Sequence, residues 1–337
     1  MAGDKRFQID QEEMVQLLTA SLKINTTNPP GAELPLAELW GKKMEELGLE
    51  VRLQPVAENR ANVIGVLKGK GKKPSLLYNG HLDTVPPGAV EWDYGPFSGE
   101  IVGDKVYGRG AADMKSGVVA MVMAAGALKS AGIELQGDLI IAATAGEETD
   151  SIGARAFAQE EEMKNVGAIL IGEPSHNEMF VAEKGALWFK IRTRGKTAHG
   201  SMPHLGRNAI LHMNRIISQL AQYEFKYEEH PLLGAPTMNI GTIAGGVTTN
   251  VVPDQCELTI DMRTVPGQKH GEIEADLEKM IAKLRQELPV LEVGLAVIND
   301  RPAVDTASDH EFVQLGLKVA EAVLGKQLVP GGVNYYT

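Results

Sequence analysis

The sequence predicts an α/β protein: a mixed, mostly parallel sheet flanked by helices, carrying an inserted α+β domain of ferredoxin-like order. Three observations carry this expectation. Short, continuously apolar runs at residues 139–144 and 168–171 have the character of strands buried on both faces. Helical patterns alternate with such runs through the first half of the chain, which argues for helices on both faces of one sheet. Near Met179 the pattern changes to β-α-β-β-α-β, the order of a ferredoxin-like unit.

The elements follow in order. Asp10-Gln-Glu-Glu13 opens an amphipathic helix through about Lys23, with Asp10 as N-cap and Glu13 reaching back to it. Asn25-Thr-Thr-Asn-Pro-Pro-Gly31 is a loop by its turn residues. A second helix is expected over residues 34–47, then strands at 51–56, 62–67 and 75–80. Pro86-Pro-Gly88 and residues 92–96 make an irregular segment just after His81. Residues 116–128, rich in Ala, Val and Met, read as a buried helix. Residues 180–193 are one long strand or a strand pair, followed by a helix at 207–223, strands at 237–243 and 257–263, a charged helix at 270–287 and a strand at 290–297. Ser308 or Asp309 then caps a helix to about Leu324, expected to pack on the first domain. The domain expectation is residues 1–179 plus 297–337 for the metal-binding catalytic domain, and 180–296 for the insert.

Composition narrows the function classes. The chain has 337 residues, 43% of them hydrophobic, enough for roughly two domains with real cores. A formal charge of −11 argues against nucleic acid or an anionic membrane as partner. Cys256 is the only cysteine, which rules out an intrachain disulfide and a CxxC zinc site. The N-terminus, Met-Ala-Gly-Asp-Lys-Arg-Phe, has no apolar signal core, and no run looks long enough to span a bilayer. A soluble cytoplasmic protein is the resulting expectation.

The chemistry concentrates where strands end. Glu147 and Glu148 stand side by side after the run from Asp138 to Gly146, and His81-Leu-Asp83 ends the run from Ser75. Between them lies Gly108-Arg-Gly-Ala-Ala-Asp113-Met-Lys-Ser-Gly117, and after them Ile169-Leu-Ile-Gly-Glu173-Pro174. In α/β sheets ligands sit beyond the carboxyl ends of the strands, where His81, Glu147, Glu148 and Glu173 all fall. Imidazole and carboxylate suit zinc, and two adjacent acids can divide metal ligation from proton transfer.

Each motif alone has an ordinary explanation. A lone strand-end His is usually a satisfied polar residue. Asp113 reads equally as an N-cap, and Glu147-Glu148 as a solvated turn. In the insert, Lys196-Thr-Ala-His199-Gly-Ser-Met-Pro203-His204 fits a loop exposing an imidazole, and Gly245-Gly-Val-Thr-Thr-Asn250-Val-Val-Pro253 a hairpin connection. Arg263 would suit a substrate carboxylate, although strand-end arginines usually meet solvent. There is no G-x-S-x-G elbow and no H-E-x-x-H helix, and Cys256 alternates with apolar residues as a core position.

Taken in order, the H-x-D, G-R-G-x-x-D-M-K, E-E, G-E-P, T-A-H and N-x-x-P elements resemble the co-catalytic zinc deacylases and peptidases, from about residue 12 to the end. That family includes aminoacylase, acetylornithine deacetylase, succinyl-diaminopimelate desuccinylase, dipeptidases and glutamate-releasing carboxypeptidases of the G type. The motifs are most similar to the acetylornithine deacetylase/desuccinylase branch. The resemblance implies a zinc-peptidase-like catalytic domain with two zinc ions, cobalt being an alternative metal, and a homodimer made by the insert as dimerisation and lid domain. It implies His81 and Glu173 on one zinc, Asp113 bridging, Glu148 on the second, Glu147 as general base and Asp83 orienting His81. It also implies a cis peptide at Asp113–Met114, His199 supporting the oxyanion in the partner's site, and Asn250 and Arg263 holding the substrate carboxylate.

The implied reaction is hydrolysis of the amide bond of an N-acyl amino acid or short peptide. A dipeptidase or carboxypeptidase of the same family, and a non-catalytic dimeric binding homologue, are the alternatives. One departure stands out: the family's last ligand is a His beyond a Gly-rich turn resembling Gly331-Gly-Val-Asn-Tyr-Tyr-Thr337, and here only His310, at a helix start, remains downstream. The expectation is a fragment of a longer protein rather than a damaged homologue, with the C-terminal part of the catalytic domain missing and, with only Asp113 and Glu148 left to hold it, weak or absent occupancy of the second zinc.

Overall fold

Asp10 accepts the main-chain N–H of Glu13 at 3.0 Å and starts helix α1 (Gln11–Lys23). Glu13 does not reach back to the cap; its carboxylate pairs with the Lys43 ammonium of α2 (Leu34–Glu46). The computed structural model describes residues 8–336 and divides into two units, Met1–His176 and Asn177–Thr337.

In the first unit, β1 (Glu50–Ala57), β2 (Arg60–Leu67) and β3 (Ser75–His81) precede a small hairpin of β4 (Glu100–Val102) and β5 (Lys105–Tyr107). Helix α3 (Ser116–Ser130), β6 (Leu139–Thr144), α4 (Ile152–Phe157) and β7 (Val166–Ile171) follow. One sheet has the order β1-β2-β6-β3-β7. Its β1, β2 and β6 run antiparallel, while β6-β3 and β3-β7 are parallel. The parallel part brings the carboxyl ends of β6, β3 and β7 to one edge.

Period-2 alternation explains how the sheet is covered on both faces. Leu139, Ile141 and Ala143 join α1, α2 and α3 in one core, around the fully buried Trp40. Ile140 and Ala142 face the other way and pack with Ile64, Val66 and Phe157. Residues buried this completely cost about 2–5 kcal/mol when cut back to alanine. The other apolar run behaves differently: β7 is an edge strand, and Ile169, Leu170 and Ile171 are exposed. Its continuous hydrophobicity does not correspond to burial on both faces.

The stretch Ala111–Ser130 is long and apolar enough by composition to cross a membrane, contrary to the sequence expectation that no run is. Half of that window is buried, and Val118, Val119, Val122 and Ala125 belong to the first unit's core. It is a core helix by its packing.

The second unit begins with two strands where one long strand was an alternative, β8 (Met179–Glu183) and β9 (Gly185–Arg194). Then come α5 (Ala209–Leu220), β10 (Thr237–Gly245), β11 (Gln255–Thr264), α6 (His270–Glu287) and β12 (Glu292–Arg301). All pairings in the sheet β10-β11-β9-β12 are antiparallel. Numbered from β9, this is the ferredoxin-like strand order, with α5 and α6 contributing Met213, Ile216, Leu277 and Ile281 to the core beneath it.

The chain ends with β13 (Val304–Asp305), α7 (Glu311–Leu324) and β14 (Pro330–Val333); β13 and β14 flank β8 in a small sheet. Neither Ser308 nor Asp309 caps α7. His310 does, its Nδ1 accepting the N–H of Phe312 at 3.2 Å.

Candidate metal centre

His81 is the last residue of β3 and 2% exposed. Its Nδ1 lies 2.9 Å from the main-chain oxygen of Asp83. A carbonyl can only accept, so Nδ1 carries the proton and Nε2 is left to face the site. Nε2 is 3.1 Å from Asp113 Oδ1 and 3.7 Å from Glu173 Oε1. The Asp83 carboxylate is further from Nδ1, at 3.6 Å. The imidazole is thus oriented mainly by the backbone of Asp83, and two residues past the strand end is where that carbonyl can fold back.

The Asp83 side chain has a different set of partners. It is fully buried and accepts the main-chain N–H groups of Gly146 and Glu147 on Oδ1, both at 3.0 Å, and of Glu148 on Oδ2 at 3.2 Å. Asn28 Nδ2 donates to Oδ2 at 2.8 Å. Gly146, at φ 84°, makes the turn after β6 possible; a Cβ there would come within 2.8 Å of the Asp150 carboxylate. Asp83 is therefore the acceptor that shapes the loop carrying Glu147 and Glu148.

Asp113 sits in a wide turn over Ala111–Lys115 where its own backbone is extended, φ −116° and ψ 102°. It is not the N-cap of α3: no side-chain cap bond is made there. The Asp113–Met114 peptide is cis, as the resemblance implies. Met114 is buried against His81 while the Asp113 side chain remains half exposed. Behind it, the buried Lys115 Nζ donates to the carbonyls of Ser21 and Ile24, both at 3.0 Å, tying the turn to the end of α1.

One ligand atom each from His81, Asp113 and Glu148 lies within 4.8 Å of the other two, and Glu173 adds a fourth group beside His81. Glu148 Oε1 also accepts the N–H of Val85 at 3.2 Å. Glu147 is half-buried and enters the same loop through its N–H bond to Asp83.

The electrostatics are those of crowded anions. Burial pushes Glu148 above its ordinary value; the His81 charge opposes this, and Asp113 and Asp83 add to it. Burial favours neutral His81, but hydrogen bonds with Asp113 and Asp83 and the Glu173 charge outweigh it and raise the imidazole well above its ordinary value. Burial would raise Asp83 too, yet His81, Asn28 and the Glu147 N–H together hold it below the usual range. One imidazole whose Nε2 faces three carboxylates, and which keeps the Nδ1 proton when Nε2 gives its own up, is a donor set that fits a divalent cation such as zinc.

The second unit holds the remaining expected residues. His199 and Asn250 lie on paired loops: Gly200 N–H donates to Asn250 O at 2.7 Å, and Val252 N–H to Ala198 O at 2.9 Å. His199 Nδ1 accepts the Ser201 N–H at 3.2 Å and contacts its hydroxyl at 2.7 Å, leaving the proton on Nε2. Arg263 lies toward the other end of β11, where it pairs with Asp261 at 2.9 Å and faces the Tyr336 ring. The structure thus brings His199 and Asn250 together and sets Arg263 apart from them. Sequence reasoning passed over Asn28, Thr149 and Lys115; the turn residues around Asn28 marked only a loop.

Comparison with known proteins identifies the family. A family model described as a peptidase dimerisation domain matches residues 181–288, and one described as peptidase family M28 matches residues 62–229. A probable succinyl-diaminopimelate desuccinylase of Staphylococcus epidermidis is 28% identical over 95% of this chain and 84% of its own length. An acetylornithine deacetylase of Photorhabdus laumondii is 34% identical over 90% of this chain and 77% of its own. The structure of an M20 family metallo-carboxypeptidase, Sso-CP2 from Sulfolobus solfataricus, matches with a TM-score of 0.76 at 20% identity, over 96% of this chain and 86% of that one. On this evidence the chain belongs to the M20 family of metal-dependent amidohydrolases, with its deacylases and metallopeptidases.

Proposed function

We propose that this protein hydrolyses the amide bond of N-acyl amino acids, of the deacetylase or desuccinylase type, with two zinc ions. The reading assigns His81 and Glu173 to one ion, Asp113 to both and Glu148 to the second. The observation that carries it is the convergence on His81 Nε2, with Asp113 at 3.1 Å, Glu173 at 3.7 Å and Glu148 within the same cluster. The relatives at 28% and 34% identity bear deacylase names, which favours an acyl amino acid over a peptide as substrate.

When bound, the metal pair lowers the pKa of water toward about 7 and polarises the amide carbonyl. The protein's own groups do the rest. Glu147 accepts the proton of the attacking water and delivers it to the leaving amine nitrogen. Asp83 holds the Glu147–Glu148 loop through its N–H groups and His81 through its carbonyl. His199, with its proton on Nε2, donates to the developing oxyanion. Asn250 and Arg263 hold the substrate carboxylate; Arg263 must exchange part of its Asp261 contact to do so.

We further infer a cytoplasmic homodimer in which residues 180–296 form the dimerisation and lid domain and residues 1–179 plus 297–337 the catalytic domain. The edge strand β10 carries the exposed Ile243 near its end, Val247 beyond it is 88% exposed, and α5 carries Leu211 at 63%. Such an edge supports self-association. The buried, unbridged Cys256 fits a reducing compartment.

The test is a panel of acetyl-, succinyl- and formyl-amino acids beside dipeptides, with zinc or cobalt supplied and Glu147→Ala as control. Turnover of acyl amino acids, abolished by Glu147→Ala, is the expected result. Turnover of dipeptides alone would make it a peptidase, and turnover of nothing a binding protein.

A further inference from the structure

We propose that Asn28 is a positioning residue of this metal centre, acting through Asp83 and Thr149 to hold the loop that presents Glu147 and Glu148. This rests on the assignment of Glu148 as a metal ligand made above.

Asn28 is 4% exposed and lies 55 residues from Asp83 and 121 from Thr149 in the chain. Both hydrogens of its amide nitrogen are committed: one to Asp83 Oδ2 at 2.8 Å, the other to Thr149 Oγ1 at 2.8 Å. The two acceptors sit on opposite sides of one turn. Asp83 grips its start through Gly146, Glu147 and Glu148, while Thr149 is the residue immediately after the acidic pair. Asn28 shares Oδ2 with the N–H of Glu148, so the amide fixes the carboxylate rotation that this N–H requires.

The Asn28 backbone is itself held to the same framework. Asn28 N–H donates to Thr84 O at 2.9 Å, Thr84 N–H to Thr26 O at 3.1 Å, and Thr26 Oγ1 to Leu82 O at 2.7 Å. Residues 26–28 therefore run beside residues 82–84, the segment that supplies the His81-orienting carbonyl and leads to the Val85 N–H on Glu148. One side chain thus links the His81 segment to the Glu147–Glu148 turn. A residue that merely satisfied a buried loop would not need its two donors divided between the carboxylate and the far side of the turn.

The experiment is cobalt binding to the full chain, followed by the visible spectrum of the bound ion, which reports ligand geometry without any substrate. Asn28→Ala is compared with wild type and with Glu148→Ala, and circular dichroism of the metal-free proteins checks the fold. Asn28→Ala is expected to remain folded, to weaken cobalt binding about 10–100-fold and to shift the visible bands. Asn28→Asp, of nearly equal size but facing Asp83 with an oxygen in place of a donor, is expected to do at least as much. Wild-type affinity and spectrum in Asn28→Ala, with Glu148→Ala weakened, would overturn the inference and leave the site assignment standing. Wild-type binding by Glu148→Ala would overturn the assignment itself, and the inference with it. Should Asn28→Ala fail to fold, Asn28→Ser decides on the same readout. Failure of both to fold would make Asn28 a residue of the fold and also end the proposal.

Discussion

Glu147 donates its main-chain N–H to the Asp83 carboxylate at 3.0 Å, so the proposed base is fixed at its backbone by the residue whose carbonyl also fixes His81. One aspartate couples the imidazole side of the site to the acid side. Its carboxylate is an acceptor for three successive N–H groups, and its carbonyl for one ring nitrogen. The two halves of the site cannot shift independently while both sets of bonds are made.

Asp83→Ala should therefore do more than remove a charge. Three buried N–H groups would lose their acceptor, and each unsatisfied group costs about 1–3 kcal/mol. Some will find water, so we expect metal-free stability to fall by about 3 kcal/mol in urea unfolding, with activity down at least 10–100-fold. A variant that unfolds at the wild-type urea midpoint would mean the loop is held by other contacts.

Metal binding should depend on pH in a direction set by His81. In the metal-free chain its imidazole is protonated well above the ordinary range, because Asp113, Asp83 and Glu173 outweigh the opposing effect of burial. A cation must displace that proton. Zinc affinity is therefore expected to drop about tenfold per pH unit below the raised His81 value, and to flatten above it. Competition with a chromophoric chelator across pH reads this directly. An affinity independent of pH through the neutral range would count against His81 as a ligand.

Much of this site was legible because strands of period two carry their chemistry at their ends. β3 and β6 end within three residues of His81 and Glu147, and β7 two residues before Glu173. The ferredoxin-like unit was equally readable, since β11 and β12 alternate along their whole length between more and less buried positions. What was hidden depends on contacts between segments distant in the chain. Nothing local marks Asn28 as the partner of Asp83 and Thr149, or Lys115 as the partner of Ser21. The apolar run of β7 could not reveal an edge strand, because burial is decided by what pairs beside it. The cap of α7 went to His310 where serine and aspartate stood adjacent, a choice made by loop geometry.

Ser201 should matter to His199 without touching the substrate. Its N–H and hydroxyl both meet Nδ1, which keeps the ring proton on Nε2. Replacing His199 by Ala removes the proposed oxyanion donor, worth about 10²–10³ in kcat. Ser201→Ala keeps the N–H bond and loses only the hydroxyl contact, so kcat should fall by about tenfold or less with KM little changed. Equal losses from the two variants would show that the hydroxyl itself acts on substrate.

Lys115 offers a pH test of stability that is independent of catalysis. Its ammonium is fully buried against the Ser21 and Ile24 carbonyls, and burial lowers its pKa from 10.5 to about 8. Between these values the unfolded chain binds a proton that the folded chain has released, so stability rises with pH across that window. At about 1.4 kcal/mol per unit, the gain approaches about 3 kcal/mol by pH 10.5 and is absent below about pH 7, where both states are charged. Lys115→Met removes the titrating group. We expect the wild-type protein to gain stability relative to this variant on going from pH 7.5 to 10, measured by urea unfolding of the metal-free chains. Parallel profiles for the two proteins would show that the buried amine keeps an ordinary affinity for its proton.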